Sequence, residues 1–180
     1  MKNISEQIEP LLFGEERDQT TAFAVLDGAS VPNLQLKLWE HKVQYECLFR
    51  GKLRPDVAEV APYLAQLEPN HQFTRFVIEG GWGNHWGIFA LSQASLPELR
   101  RHFRTFFLVH DSKGQPMYFR YYDPRVLRVF LPTCNAEELR TMFGPVTTYV
   151  VEDDQPSLAL RFRTADGVLR REQLPVSVSL

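Results

Sequence analysis

Strand-length apolar runs alternate with helix-periodic stretches along most of this 180-residue chain. The runs at 21–28 (TAFAVLDG), 60–67 (VAPYLAQL) and 85–92 (HWGIFALS) have the length of buried strands. Residues 69–81 and 96–107 instead repeat apolar side chains at helical intervals. Beyond residue 145, VTTYVVE, SLALRFRT and GVLRREQL follow one another as strands. The pattern predicts an α/β fold, in which helices are interleaved between the short strands of a mixed sheet and the C-terminal part is β-rich.

The stretch FRYYDPRVLRVFL (119–131) joins an alternating strand to a short helix. Asp123 is placed to accept backbone N–H groups at the helix start, and Pro124 suits the first helical position. The spacing puts Arg125 and Arg128 together, away from the apolar face of that helix. Two capping boxes, Ser95 with Glu98 and Asn135 with Glu138, predict two further helix starts.

Other local patterns concern the first sixty residues and a hairpin in the second half of the chain. Ser30 is expected to cap a helix that has Pro32 in its first turn, although Leu34, Leu36 and Leu38 also fit a strand. Pro10 interrupts the helical pattern of the first residues, and Pro55 is expected in a loop. The stretch 106–123 predicts a hairpin about an Asp-Ser-Lys-Gly turn.

Length and composition favour one domain, or one domain with a small appended lobe. We expect a helical lead-in over 1–19, a core over 20–150 and a C-terminal β-hairpin over 151–180, which either belongs to the core domain or forms a small second lobe. The net charge of −2 gives no general attraction to nucleic acid or to acidic membranes. The chain start lacks the apolar run of a signal peptide and no stretch approaches ~20 apolar residues, so we expect a cytoplasmic protein.

No residue pattern indicates an assembled catalytic or metal site. The five histidines show no metal-ligand spacing, and the glycine-rich stretch 79–87 lacks the pattern of a phosphate-binding loop. The arginines of LRRHFR (99–104) form either a solvated basic face or a patch that binds a partner. Asp123 could act as a general base, but its helix-capping role explains it without chemistry. We therefore expect no catalytic residue, metal or cofactor.

Several motifs together resemble the type VI secretion adaptor family, whose members are also called effector chaperones. The motifs are, in order, FAVLDGA (23–29), APYLAQL (61–67), LRRHFRTFFLV (99–109), FRYYDPRVLRVFL (119–131) and MFGPV (142–146). The resemblance covers roughly residues 20–150. Its most specific part is Asp-Pro-Arg after an aromatic strand, preceded by His102-Phe103-Arg104, where the family more often has Leu in the middle position.

The resemblance implies a cytoplasmic, non-enzymatic adaptor of Gram-negative bacteria. Such a protein binds a cognate toxic effector, often through the effector's N-terminal region, and helps to load it onto a spike protein of the VgrG type. No nucleic acid, membrane or cofactor is implied. The alternative is a small cytoplasmic hydrolase or transferase with a site around Asp123 and His102.

The candidate residues fall into two groups. The candidates for partner contact are Arg120, Arg125, Arg128, Arg104, Tyr122 and Trp86. The residues assigned to the structural motif are Asp27, Gly28, Tyr63, Leu64, His102, Asp123 and Pro124. Among them, Arg120, Arg125 and Arg128 are expected either to contact a partner or to form an ion pair that locks two elements together.

Overall fold

The computed structural model describes residues 3–14, 19–110 and 113–176, without the side chain of His110. The helices are α1 (Ile4–Phe13), α2 (Leu34–Glu40), α3 (Pro55–Glu59), α4 (Gln72–Gly81), α5 (Leu96–Arg104), α6 (Pro124–Phe130) and α7 (Ala136–Phe143), with a 3-10 turn at Leu131–Thr133. The strands are β1 (Thr21–Asp27), β2 (Tyr45–Cys47), β3 (Pro62–Leu67), β4 (Gly87–Ser92), β5 (Leu108–His110), β6 (Pro116–Tyr118), β7 (Val146–Glu152), β8 (Leu158–Ala165) and β9 (Val168–Pro175). None of the helices in these ranges is long and apolar enough to cross a membrane.

Seven strands form one sheet in the order β2-β3-β1-β4-β7-β8-β9, and β5 pairs with β6 in a separate two-stranded sheet. The α/β class, the interleaved helices and the β-rich C-terminal part are therefore confirmed. The sequence suggested a mixed sheet, whereas every pairing between described strands is antiparallel. The chain leaves the sheet after β4 and returns at β7, and α5, β5, β6, α6 and α7 are all built from the intervening segment.

The large sheet carries a hydrophobic core on each of its faces. Because successive strand residues point to opposite faces, Ala24 and Leu26 of β1 enter one core while Phe23 and Val25 enter the other. The first core includes buried residues of α1, α2 and α4, and the second includes those of α5, α6 and α7. Burial on both sides explains why β1 is an uninterrupted apolar run rather than an alternating one.

The C-terminal hairpin belongs to the same sheet as the rest of the chain. Strand β8 pairs with β7, and its Ala159 enters the first core while Leu160 and Phe162 enter the second. Asp166 and Gly167 have φ values of 53° and 74° in the connection to β9. Two consecutive residues with positive φ suit the tight turn of a hairpin, as the sequence predicted.

Three local expectations were wrong. Helix α1 continues through Pro10, because burial of Ile8 and Leu12 in the first core stabilises it despite one lost backbone hydrogen bond. Ser30 does not cap α2, because that helix begins only at Leu34 with Asn33 in the N-cap position, and the Ser30 hydroxyl donates to the carboxylate of Asp27. The segment containing Pro55 is the short helix α3 rather than a loop.

The remaining local predictions mostly hold. Capping boxes begin α5 and α7, and Asp123 caps α6. The hairpin of β5 and β6 is also confirmed, but residues 111 and 112 of its predicted turn lie outside the described residues.

Candidate functional site

The motif residues Asp27 and Arg120 meet at the end of β1. Asp27 is buried, and its Oδ2 lies 2.7 Å from Nη2 of Arg120. The same carboxylate accepts hydrogen bonds from the backbone N–H of Ala29 at 3.0 Å and from the hydroxyl of Ser30 at 3.1 Å. Asp27 thus organises the turn after β1 and binds a guanidinium that arrives from a distant part of the chain.

Arg120 also connects Asp27 to the start of α6. Its Nη2 lies 3.8 Å from Oδ2 of Asp123. Oδ1 of Asp123 accepts the backbone N–H of Arg125 at 3.0 Å, which caps the helix, and Oδ2 lies 2.7 Å from Nη2 of Arg125. We call Asp27, Arg120, Asp123 and Arg125 the motif network. It fixes the start of α6 against the end of β1.

The motif network pairs two buried carboxylates with two half-exposed arginine side chains. Both carboxylates are buried, whereas the side chains of Arg120 and Arg125 are 50% and 52% exposed. Burial alone would raise the pKa of Asp123, but the hydrogen bonds and charge of Arg125 and the charge of Arg120 lower it below its ordinary value. Asp123 is therefore an ionised structural acceptor whose oxygens are occupied, and the groups that reach solvent are two guanidiniums.

Tyr122 forms the apolar side of the motif network. The guanidinium carbon of Arg120 lies 5.8 Å from the centre of the Tyr122 ring, within the range of a cation–π contact. Tyr122 itself is buried, and burial is the main cause that raises the pKa of its phenol. As a candidate for partner contact, Tyr122 offers little surface of its own, since only 7% of it is exposed.

Three other candidates for partner contact lie outside the motif network. Arg128 donates from Nη1 to the backbone oxygen of Glu152 at 3.3 Å, at the end of β7. The half-buried ring of Trp86 packs against Gly80 and Gly81, and a Cβ at Gly80 would collide with it. Arg104 has a different role, because it supports the backbone where the chain leaves β2.

Arg104 binds three successive backbone carbonyls. Its Nε donates to Leu48 at 3.0 Å, and its Nη2 donates to Cys47 at 3.0 Å and to Phe49 at 2.6 Å. These bonds hold the chain that leaves β2 against the C-terminal end of α5. Sequence reasoning missed this role, because the carbonyls lie more than fifty positions away along the chain.

The residues assigned to the structural motif have clear packing roles. A Cβ at Gly28 would collide with the carbonyl of Ala61, whose oxygen accepts the Gly28 N–H at 3.1 Å. The hydroxyl of Tyr63 donates to the backbone oxygen of Ala58 at 2.8 Å. Leu64 and Pro124 are both buried. These positions fix the backbone around the motif network.

His102 is separate from the motif network. A ring nitrogen of His102 lies 3.2 Å from the backbone oxygen of Met142, and the ring packs edge-on against Phe106. Burial lowers the pKa of His102. No hydrogen bond or ion pair described for His102 involves the motif network.

The buried acid Glu152, outside the motif network, was not anticipated. Glu152 ends β7, is buried, and pairs with Nδ1 of His85 while accepting the N–H of Gly83 at 2.5 Å. The strand pattern gave no indication of this contact, because His85 and Glu152 lie 67 positions apart along the chain. Within the described ranges, no group of three or more His, Cys, Asp or Glu residues is arranged to hold a metal ion.

An apolar groove lies on the side of Arg104. It is about 640 Å³ in volume and is lined by the segment after β2, by α3 and by the β5–β6 hairpin. We call it the hairpin groove. Sequence reasoning predicted the hairpin but not the groove, because its two walls come from separate parts of the chain, residues 48–57 and residues 104–118.

Comparison with known proteins identifies one family. Residues 22–141 match a family model described as Domain of unknown function (DUF4123). No curated protein and no solved structure gives a significant match. Every residue of the motif network lies inside the matched range.

Proposed function

The chain belongs to the DUF4123 family, and from that premise we propose that it is a cytoplasmic adaptor of type VI secretion. In this proposal it binds a cognate toxic effector and helps to load it onto a spike protein. It does so by protein–protein contact and not by catalysis.

The observation that carries the proposal is the agreement between two ranges. The motifs that resemble type VI secretion adaptors cover roughly residues 20–150, and the family match covers 22–141. Asp27 of the FAVLDGA motif and Arg120, Asp123 and Arg125 of the FRYYDPRVLRVFL motif also converge in space. A motif whose distant residues form one network supports a shared fold with those adaptors more strongly than separate short matches would.

The alternative of a hydrolase or transferase has less support. A general base needs a free lone pair and a pKa near the working pH, whereas Asp123 has a lowered pKa and accepts from Arg125 through both oxygens. His102 donates to the backbone oxygen of Met142, and no described contact joins it to Asp123. An enzyme would need a different pair of groups.

The test is co-expression with the effector encoded beside this protein, followed by affinity purification. We expect the effector to co-purify and to stay bound at about half-molar salt, because a largely apolar contact survives the screening of exposed charges. An effector from an unrelated secretion cluster serves as the control. If neither the cognate effector nor the spike protein co-purifies under mild salt, the adaptor proposal is wrong.

A further inference from the structure

The hairpin groove has two apolar walls of different origin. Phe49, Leu53 and Val57 form the wall that leads from β2 into α3. Phe107, Leu108 and Tyr118 form the opposite wall, on and beside the β5–β6 hairpin. The rings of Phe49 and Phe107 meet edge-on with their centres 5.6 Å apart, which joins the walls at one side. The groove is therefore a preformed apolar concavity rather than a gap between loose segments.

The hairpin wall exposes large apolar side chains. Leu108 and Tyr118 are cross-strand partners in the β5–β6 sheet, so their side chains share one face, and they are 54% and 77% exposed. Two-stranded sheets are only marginally stable in isolation and gain stability when an apolar face is covered. Contiguous apolar surface beside a concavity is typical of a site that another molecule covers.

The charges in the hairpin groove have one sign. Its charged lining residues are Arg50 and Arg104, and no acid is among the lining residues that the structure describes. Arg104 donates to backbone carbonyls through Nε and Nη2, and no hydrogen bond from its Nη1 is found within the described part of the chain. Burial and the charges of Arg100 and Arg50 lower the pKa of Arg104, and Cys47 and Glu46 offset this only in part, since Glu46 is also the ion-pair partner of Arg100 at 3.1 Å. A carboxylate supplied from outside would relieve this crowding of positive charge.

We propose that the hairpin groove binds a short segment of the effector that inserts apolar side chains between the two walls and places an Asp or Glu carboxylate against Arg50 and Arg104. This inference rests on the proposed adaptor function and names the chemistry of the contact. Protein interfaces favour this combination, in which aromatic and arginine anchors surround an apolar centre. The volume is also within the range of sites that enclose a few side chains.

The test measures effector affinity by isothermal titration with purified full-length proteins. Leu108→Asp and Val57→Asp place a charge on each wall, and Arg50→Glu reverses the charge at the rim. We expect each to weaken binding by about 30-fold, which corresponds to a hot spot of about 2 kcal/mol. Arg50→Lys should retain most of the affinity.

Each wall variant has a matched control elsewhere on the surface. Val168→Asp matches Leu108→Asp, because Val168 is also a strand residue and is 53% exposed. Leu36→Asp is the control for Val57→Asp, because Leu36 also lies in a short helix and is 49% exposed. Both controls should bind as the wild type does. Thermal melting identifies any variant that has lost its fold. If a wall variant unfolds, the affinity of Arg50→Glu still tests the inference, because that change is made at an exposed side chain.

The possible outcomes distinguish a failure of this inference from a failure of the proposed adaptor function. If the wild type binds the effector and the three groove variants bind equally well, the hairpin groove is not the contact, while the adaptor function stands. If the wild type binds no effector, the adaptor function is wrong and this inference falls with it. If light scattering shows a wild-type dimer that Leu108→Asp dissociates, a second copy of the chain occupies the groove and the inference is overturned.

Discussion

Asp27 and Asp123 are carboxylates that the fold buries and neutralises with arginines of the motif network. A buried carboxylate without a partner would be strongly unfavourable, so each needs both hydrogen bonds and a counter-charge. Asp27 obtains its hydrogen bonds locally, from the turn after β1, but takes its ion pair from Arg120. The side chain of Arg120 therefore has more influence on stability than its half-exposed position suggests.

Arg120→Ala should lower the free energy of unfolding by about 1–3 kcal/mol, because it leaves the buried Asp27 without its charged partner. Arg101→Ala, at an exposed arginine of α5, should change it by much less. Urea unfolding of the two variants measures the difference. Equal stabilities would show that solvent replaces Arg120 at Asp27.

His102 should make the protein less stable in mild acid. Burial lowers the pKa of His102 in the folded protein. The imidazole therefore binds a proton more readily in the unfolded chain, where its pKa is about 6.5. Stability is therefore complete above about pH 6.5 and falls as the pH drops from there towards the folded pKa. In His102→Phe this loss should disappear, and the carbonyl of Met142 keeps the hydrogen bond from Tyr149 at 2.7 Å. Melting curves between about pH 5 and 7.5 test this, and a variant with the wild-type pH profile would contradict it.

Helix α6 is the element that the motif network holds in place. Asp123 caps it, and Pro124 and Leu127 are its buried residues. Its other side carries Arg125 and the largely exposed Val129. One short helix thus combines a fixed attachment to the core with an accessible, positively charged surface.

Replacing the cap should separate the two roles of Asp123. Asp123→Ala removes the cap and the ion pair, and should cost about 0.5–2 kcal/mol of stability. Asp123→Asn keeps a capping oxygen and loses only the charge, so it should be the more stable of the two. Thermal melting of both variants is the measurement. An unchanged melting temperature combined with lost effector binding would instead make Asp123 a contact residue.

The arginines of α6 should matter for binding as well as for folding. Arg125→Ala with Arg128→Ala leaves the backbone cap of Asp123 in place, but it removes the nearest counter-charge of that buried carboxylate and the hydrogen bond of Arg128 to Glu152. We expect a loss of about 1–3 kcal/mol in stability, read by melting, together with weaker binding of the effector or the spike protein, read by titration. Early melting with normal binding would show that these arginines only support the fold.

At the level of elements, the sequence predicted the helix starts whose capping partners are close along the chain. The caps at Ser95, Asp123 and Asn135 need partners only two or three positions away, and all three were recognised. Ser30 failed as a predicted cap because the N-cap position of α2 is Asn33, three residues further on. Helix α1 was underestimated because the apolar packing that compensates for Pro10 is tertiary.

In the whole molecule, the sheet extends well beyond the residues that match the family. Strands β7, β8 and β9 follow residue 141, yet β7 pairs with the central strand β4. Phe162 of β8 is fully buried in the second core. The C-terminal strands are thus part of the structure that supports the motif network, although the sequence left a separate small lobe as an alternative.

Phe162→Ala should therefore destabilise the whole protein and not a local lobe. Loss of a fully buried phenylalanine costs about 3–5 kcal/mol. Val168→Ala, at an exposed residue of the same hairpin, is the control and should have little effect. Circular dichroism melts should show one transition at lower temperature. A separate early transition, with the main one unchanged, would indicate an independent lobe.

The features of the candidate site that sequence reasoning missed join distant residues. The sheet order, the pair of Asp27 with Arg120 and the bonds of Arg104 to the exit of β2 depend on which strands become neighbours. Local periodicity contains no such information. The residue types of the motif network were recognised, but their arrangement required the fold.

The return of the chain to the sheet at β7 has a consequence for folding kinetics. Ser92 and Val146 are paired, so the segment between them must form a large closed loop before β4 and β7 can join. Pairings of such sequence separation are slow to form, because the chain loses entropy before the contacts compensate for it. The step at which β7 reaches β4 should therefore limit the folding rate. Until then β4 has an unpaired edge, and a newly made chain is most prone to aggregate in that interval.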